Sequence, residues 1–387
     1  MKKLILIPLA AAAVLGLAAC GKQSQEKQSK QQNQEKQVSV SAPAATQNIV
    51  LPPGAPSELL LKYAQLGETA YVAEILKRNP AMDINRPKTQ ENKTAFYLAC
   101  ENGYTDIVKL LLKYKPDVLV CDNEKDKKYS CLTIAAHKGH LTIMEEMLKL
   151  GIDKDARDGE DRTALYSAAE NNHQKIVELL CRKGSKINYC RQNNGWTPLT
   201  IAACNGHTEV VKTLIKYKAD IEMPRIPKRG DSKPTAAFEA ADENHPETLE
   251  VLCKAGAKIN VIGFNGHTPL TVSSSRGYAK VVKILIKYKV DLEMCDGFNQ
   301  TALHQAVSEN KPEIVDLLCR AGADVKHRSL FQFPLEVAVY KQNIDIIKIL
   351  LKNGADPYQQ CIFGHSIIEE ARARRYGEIV KLLSKHR

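Results

Sequence analysis

The sequence has few aromatic residues and lacks the motifs of common enzymes. Phe, Trp and Tyr make up 6% of the 387 residues, and Trp196 is the only tryptophan. There is no phosphate-binding glycine loop and no nucleophile elbow. Ser308 and Lys311 match an S-x-x-K pattern, but its companion motifs are missing and we interpret the match as chance. The sequence therefore predicts a non-catalytic protein without a cofactor.

Long hydrophobic runs are also missing, apart from a short one at the N-terminus. It covers residues 4–15, follows Lys2 and Lys3, and leads to Leu-Ala-Ala-Cys at residues 17–20. The run is shorter than the roughly 20 residues that span a bilayer, and its flanks are those of a secretion signal. It resembles a bacterial lipoprotein signal with its lipobox. The resemblance implies cleavage before Cys20 and acylation of that residue.

Aspartate is absent after the cysteine, where Gly21 stands. Aspartate at this place is the inner-membrane retention residue of such lipoproteins. Its absence implies, for a host with two membranes, a lipid anchor in the outer membrane that faces the periplasm of the cell envelope. The alternative is an ordinary signal peptide with a chance cysteine. Two or more acyl chains anchor a protein far more stably than one. We predict a signal peptide at residues 1–19 and a palmitate-type lipid anchor on Cys20.

Residues 20–57 lack aromatic side chains and are rich in Gln, Lys, Ser, Asn, Ala and Pro. Such a segment buries too little apolar surface to offset its ordering entropy, which predicts a disordered lipidated tether rather than a hidden subdomain. The chain carries 55 basic and 44 acidic residues, and loss of Lys2 and Lys3 leaves 53 − 44 = +9. This charge favours acidic partners or an anionic membrane, or serves solubility alone. No nucleic-acid-binding motif is present.

From residue 58 onward, a threonine-led motif of the form T-x-L-x-x-A recurs. Its starts are separated by 36, 33, 34, 38, 33, 33, 32 and 33 residues. The clear starts are Thr94, Thr163, Thr197, Thr268 and Thr301, and the weaker ones are Ser130, Thr235, Phe333 and Ser366. A period of this length indicates a stack of small units, none of which buries its apolar face alone.

The unit that starts at Thr197 predicts its own structure. Pro198 suits the first turn of a helix, and Gly206 ends that helix because glycine accepts positive φ. Apolar residues then return at helical spacing over residues 208–215. These residues, with Thr301-Ala-Leu-His and Gly-Ala-Asp at 322–324, resemble ankyrin repeats. The resemblance covers residues 58–387 and implies an all-α ankyrin-repeat solenoid of nine to ten helix-turn-helix-loop units, starting near 58, 94, 130, 163, 197, 235, 268, 301, 333 and 366.

The resemblance implies a binding surface formed by first helices and loop tips. Two loops are enlarged, at residues 121–129 and 223–233. Aromatic residues and arginine dominate binding hot spots, and Trp196 is the first choice for a partner contact. The alternative is that each aromatic packs on its own loop or on a neighbour. The predicted partner-binding residues are Tyr189, Trp196, Arg225, Arg229, Phe264, Phe298, Phe331 and Phe363.

Three units end a helix with Lys-Tyr-Lys, at residues 113–115, 216–218 and 287–289. Cysteines recur two units apart in the intervening units, too far apart to pair with one another, and the alternative is a pair between neighbouring units such as Cys181 with Cys204. Cys204 and His207 supply only two ligands, which do not make a zinc site. We therefore predict a protein-binding module in the envelope, acting as a scaffold or as an inhibitor such as a toxin-immunity protein. The alternative is a lipid- or polymer-binding envelope factor that uses the Lys-Tyr-Lys ends.

Overall fold

The computed structural model describes residues 49–86, 89–119, 129–192, 194–225, 233–330, 332–361 and 364–386. The residues from Leu51 onward form one compact unit. Helices alternate along it as ten pairs, and in each pair the first helix begins close to a predicted repeat start. The first helices are α1 Pro56–Leu66, α3 Ala95–Asn102, α5 Cys131–Lys138, α7 Ala164–Glu170, α9 Pro198–Cys204, α11 Ala236–Asp242, α13 Pro269–Arg276, α15 Ala302–Ser308, α17 Pro334–Tyr340 and α19 Ile367–Ala373.

The second helices complete the pairs. They are α2 Thr69–Arg78, α4 Thr105–Leu112, α6 Leu141–Lys149, α8 Gln174–Arg182, α10 Thr208–Lys216, α12 Pro246–Lys254, α14 Ala279–Lys287, α16 Pro312–Arg320, α18 Ile344–Lys352 and α20 Gly377–Leu383. The described residues contain no β-strand, only an isolated bridge between Gln360 and Ser366. The predicted all-α repeat solenoid is confirmed. None of the described helices is long and apolar enough to cross a membrane.

Packing runs from each unit to the next. Each first helix contacts its own second helix and the first helices of its neighbours, and the second helices contact one another in the same order. Their buried side chains form one continuous apolar core that runs from Leu59 to Leu383. Because each unit buries its apolar face only against its neighbours, many equivalent local contacts stabilise the array.

The unit at Thr197 illustrates how the sequence determines these helices. The Thr197 hydroxyl accepts a hydrogen bond from the backbone N–H of Thr200 at 3.1 Å, and Pro198 occupies the first turn. This cap satisfies a donor that the helix itself leaves unpaired. Gly206 ends the turn after α9 with a φ of 71°, so the predicted helix break lies where the glycine stands.

The Lys-Tyr-Lys helix ends adopt an unusual backbone conformation. Lys115, Lys218 and Lys289 have φ values of 54°, 66° and 58°, in the left-handed region that disfavours side chains with a Cβ. Glycine occupies the corresponding place in other units, as at Gly184 and Gly256. The three lysines are exposed, whereas the tyrosine before each one is half-buried. The motif thus places a lysine on the surface at a small cost in backbone strain.

Candidate partner-binding surface

The structure describes five of the eight residues that the sequence predicts to contact a partner. They lie in three different environments. Trp196, Arg225 and Phe264 pack together, Tyr189 lies near a polar depression, and Phe298 lies on an exposed turn. The other three predicted residues, and the predicted lipidation site, lie outside the described residues: Arg229, Phe331, Phe363 and Cys20.

Trp196 is buried beneath an arginine. The Arg225 guanidinium lies 3.9 Å from the centroid of the Trp196 ring and 5.2 Å from that of Phe264. Only 8% of Trp196 is exposed, and Phe264 packs edge-on against Phe238 at 6.0 Å. The alternative given by the sequence, an aromatic that packs on its own surroundings, describes this tryptophan. A partner would meet the edge of Arg225 rather than the indole face.

A buried carboxylate holds Arg225 in place. Its Nη1 lies 3.3 Å from Oε1 of Glu239, a residue that is 3% exposed. Burial raises the pKa of Glu239 to about 7, and the neighbouring Arg225 acts in the opposite direction. The backbone N–H of Arg225 also donates to the carbonyl of Pro234 at 2.8 Å. This bond joins the two described ends of the enlarged segment, so the arginine has a fixed position.

Two further arginines lie against aromatic rings in the preceding units. The Arg162 guanidinium lies 3.6 Å from the Tyr129 ring centroid, and its Nε donates to Asp158 Oδ2 at 2.8 Å. The Arg191 guanidinium lies 4.9 Å from the Tyr166 ring centroid and donates to its hydroxyl at 3.3 Å. Cation–π contacts gain strength when both groups are shielded from water. We call these pairs the arginine–aromatic ladder: Tyr129 with Arg162, Tyr166 with Arg191, and Trp196 with Arg225.

Tyr189 lies near an open polar depression of about 800 Å³. Its hydroxyl donates to Asp161 Oδ1 at 2.7 Å, and Arg157 Nη1 donates to the same hydroxyl at 3.3 Å. The carboxylate of Asp161 also accepts from the backbone N–H of Gln192 at 2.7 Å. Within the described part of the chain, no three His, Cys, Asp or Glu side chains are grouped to hold a metal ion. The polar side chains beside the depression therefore bond to one another and to the backbone.

Among the five predicted residues that the structure describes, Phe298 is the most exposed, with 60% of it open to solvent. It lies in a tight turn organised by Asp296, whose carboxylate accepts from the backbone N–H groups of Phe298 and Gln300 at 2.8 and 3.0 Å. The same carboxylate accepts from Gln305 Nε2 at 2.6 Å. These bonds fix the backbone beneath the exposed ring, so binding a partner orders little additional chain.

Two further exposed apolar residues accompany Phe298 on neighbouring exit turns. Leu330 is 57% exposed and Ile262 is 54% exposed. Leu330 precedes Phe333 by three residues, as Phe298 precedes Thr301, and Asn299 Nδ2 donates to the Arg328 carbonyl at 3.2 Å between these turns. The sequence analysis missed both residues, although alignment of the repeats places Leu330 at the position of Phe298. We call this set the tip residues: Ile262, Phe298 and Leu330.

Histidines join successive units, a role that the sequence analysis did not assign. The His173 imidazole Nε2 lies 2.8 Å from the carbonyl of His137, and that of His207 lies 3.0 Å from the carbonyl of Glu170. His140 makes the same kind of contact one unit earlier. Burial lowers the pKa of each of these three histidines. They link each of these units to the one before it.

Comparison with known proteins identifies the repeat. A family model described as "Ankyrin repeats (3 copies)" matches residues 56–158, 117–189, 183–263 and 237–329, and one described as "Ankyrin repeat" matches residues 332–362. These matches begin at residue 56, so the signal peptide, lipidation and tether stay predictions.

Individual relatives share this region. The "Ankyrin repeat and KH domain-containing protein mask-1" of Caenorhabditis elegans is 28% identical over 76% of this chain and 11% of the relative. The "Nuclear factor NF-kappa-B p105 subunit" of Gallus gallus is 26% identical over 54% of this chain and 22% of the relative. The "Probable 26S proteasome regulatory subunit p28" of Saccharomyces cerevisiae is 29% identical over 34% of this chain and 57% of the relative.

These three relatives are eukaryotic, and this chain spans less than two thirds of the length of each. The similarity therefore concerns the repeat array and not the whole activity of any relative. The family models cover most of the chain, from residue 56 to residue 362 with a short gap. The chain therefore belongs to the ankyrin-repeat family and is, by that membership, a protein–protein interaction module.

Proposed function

We propose that this protein is a non-catalytic binding module of the cell envelope, held at a membrane by lipid on Cys20. The Leu-Ala-Ala-Cys segment at residues 17–20 supports the anchor, and the polar segment at 20–57 supports a tether between membrane and array. In this proposal the array binds one envelope protein, either to scaffold it or to inhibit it. A toxin-immunity protein is one form of such an inhibitor.

The observation that carries the proposal is the set of tip residues. Phe298 and Leu330 are 60% and 57% exposed on neighbouring turns, and the bonds to Asp296 fix the turn beneath Phe298. Large apolar side chains exposed together mark interaction sites more often than solvated surface. A partner that covers these two side chains buries apolar surface without having to order a loop. The tip residues are therefore suited to act as a binding hot spot.

The positive charge of the chain indicates which residues surround the contact on the partner's surface. Removal of residues 1–19 leaves a formal charge of 53 − 44 = +9, and the exposed Arg328 lies two residues before Leu330. A positive field raises the association rate of an acidic partner and weakens with salt. We therefore expect a partner with an apolar patch surrounded by carboxylates, bound through the tip residues.

Capture from a cell envelope tests the proposal. The bait is the chain from residue 20 with Cys20→Ala, so that no lipid is attached, and co-purifying proteins are identified by mass spectrometry. We expect one stoichiometric protein, lost with the double variant Phe298→Ser and Leu330→Ser. A matched control is Leu150→Ser, because Leu150 is 62% exposed at the end of a second helix. Equal capture by all three baits would refute the tip site.

Membrane anchoring is tested separately. Full-length protein with Cys20→Ala should move from the membrane fraction to the soluble fraction, because the predicted acyl chains supply the stable attachment. Metabolic labelling with a fatty-acid probe should mark the wild type and not the variant. Retention of the unlabelled variant in the membrane fraction would contradict the lipid anchor and leave the binding proposal to its own test.

A second candidate function is binding of lipid or an anionic polymer by the Lys-Tyr-Lys ends. The observation in its favour is that Lys115, Lys218 and Lys289 are exposed in a left-handed backbone conformation that glycine adopts at lower cost. The unlipidated chain is mixed with vesicles of neutral or anionic lipid. Binding to anionic vesicles that disappears with all three lysines changed to glycine would favour this function over a protein partner.

A further inference from the structure

Two buried thiols lie together where the second and third units meet. Cys100 is in α3 and Cys131 begins α5, and these two helices pack against each other. Both cysteines are completely buried. Cys100 is close enough to Cys131 to raise the pKa of its thiol, and the Cys131 Sγ is 4.0 Å from the carbonyl oxygen of Asp117. Both are free thiols in the interior between these two packed helices.

The repeat shows why these two positions come close. Cys100 follows its unit start by six residues, and Cys131 follows the next unit start by one. Small side chains at such positions let the two helix backbones approach each other, and a disulfide needs Cα atoms within about 7 Å. The equivalent positions of two later interfaces hold fully buried alanines: Ala136 with Ala164, and Ala203 with Ala236.

We propose that Cys100 and Cys131 form a disulfide that joins these units covalently while the chain folds. The inference rests on the proposed export, because disulfides persist in oxidising compartments outside the cytosol. The oxidant is a disulfide, either small or carried by a thiol–disulfide oxidoreductase. One cysteine thiolate attacks it and forms a mixed disulfide, and the second displaces the oxidant sulfur. The two cysteines lose two electrons and two protons in total, and the oxidant takes up both to leave as two thiols.

Burial determines when this reaction occurs. Neither thiol is accessible in the folded array, and burial raises the pKa of Cys131 well above its ordinary value, with Cys100 acting in the same direction. Thiolate is the attacking species, so an oxidant reaches it only while the interface is open. Once the units have stacked, the same burial keeps reductants away from the bond. The disulfide is thus a folding product rather than a switch on the finished surface.

Refolding tests the proposal directly. The chain from residue 20 with Cys20→Ala is reduced, unfolded and refolded with oxidised and reduced glutathione, then alkylated under denaturing conditions. Peptide mapping should give one cross-linked pair, Cys100 with Cys131, and the intact mass measured before alkylation should be two hydrogen atoms lower than that of the reduced chain. Alkylation of both cysteines, or their linkage to other cysteines, would overturn the proposal. Because the test uses purified protein, a negative result tells against the disulfide and not against export.

Two comparisons complete the test. The double variant Cys100→Ala and Cys131→Ala places alanine where other units already have it, so it should fold. A reductant present during unfolding should lower the thermal midpoint of the cross-linked wild type and leave that of the variant unchanged. Folded, reduced wild type exposed to the same glutathione buffer should keep both thiols. Cross-linking of the folded protein as rapidly as during refolding would contradict the proposed timing.

Discussion

Replacement of Trp196 by alanine separates a structural role from a binding role. The indole is 8% exposed, and the Arg225 guanidinium covers it at 3.9 Å. Burial of this kind makes tryptophan-to-alanine changes cost about 3–5 kcal/mol through lost apolar contact and the remaining cavity. Loss of the cation–π contact adds about 1 kcal/mol. We therefore expect the variant to lose about 4 kcal/mol or more of unfolding free energy.

The assay is urea unfolding followed by far-ultraviolet circular dichroism, which does not depend on the tryptophan. In the wild type, fluorescence of the single tryptophan reports the same transition from this one site. The variant should unfold at a lower urea concentration, and Trp196→Phe should lose less because it keeps an aromatic ring beneath Arg225. Phe298→Ala, at a position 60% exposed, should change stability by less than about 0.5 kcal/mol.

A double-mutant cycle assigns the contact itself. Trp196→Ala and Arg225→Ala are measured singly and together, and the ladder predicts a coupling free energy of about 0.5–2 kcal/mol between them. Additive effects would mean that the arginine does not stabilise the ring. If Trp196→Ala cost less than about 1 kcal/mol and still abolished partner capture, the indole would be a contact residue. The reasoning from burial would then be refuted.

Two further predictions concern stability. His304 is 1% exposed, and burial lowers its pKa from 6.5 to about 4. As the pH falls, the unfolded state therefore binds the proton before the folded state does. About 3 kcal/mol of folding stability is lost between pH 6.5 and pH 4 for this reason. His304→Thr, which keeps the helix cap as Thr200 does, should reduce this loss in unfolding experiments across that range, and an unchanged pH dependence would exclude His304 as its source. Lys218→Gly and Lys289→Gly should each raise the free energy of unfolding by about 0.5–1 kcal/mol, and with it the urea midpoint, because glycine removes the strain of the left-handed backbone conformation. A lowered midpoint would show that these lysines are not strained.

The fold could be predicted from sequence because the residues that start and end each helix lie within a single repeat unit. Thr197, Pro198 and Gly206 lie within one unit, and each acts on the backbone beside it. The same local rule repeated along the chain fixes the helices and their order. The left-handed lysines could also be anticipated, because Lys218 stands where other units have glycine.

The surroundings of the predicted contact residues were harder to predict, because their burial depends on residues from other units. Trp196 is covered by Arg225, which is 29 residues later in sequence and lies at the edge of an enlarged segment. Glu239, which holds that arginine, comes from the next unit. His207 joins units through a backbone carbonyl, for which sequence gives no signal. Leu330, by contrast, could have been predicted from sequence, because alignment of the repeats places it at the position of Phe298.

Photo-crosslinking from residue 298 tests the central claim most directly. A photoreactive phenylalanine analogue replaces Phe298 in the full-length protein, and the same analogue at Leu150 gives the control. After irradiation in intact cells, we predict one protein adduct from position 298 and none of that identity from position 150. Adducts to lipid or polymer alone at position 298, or the same protein adduct from both positions, would contradict a partner bound at the tip residues.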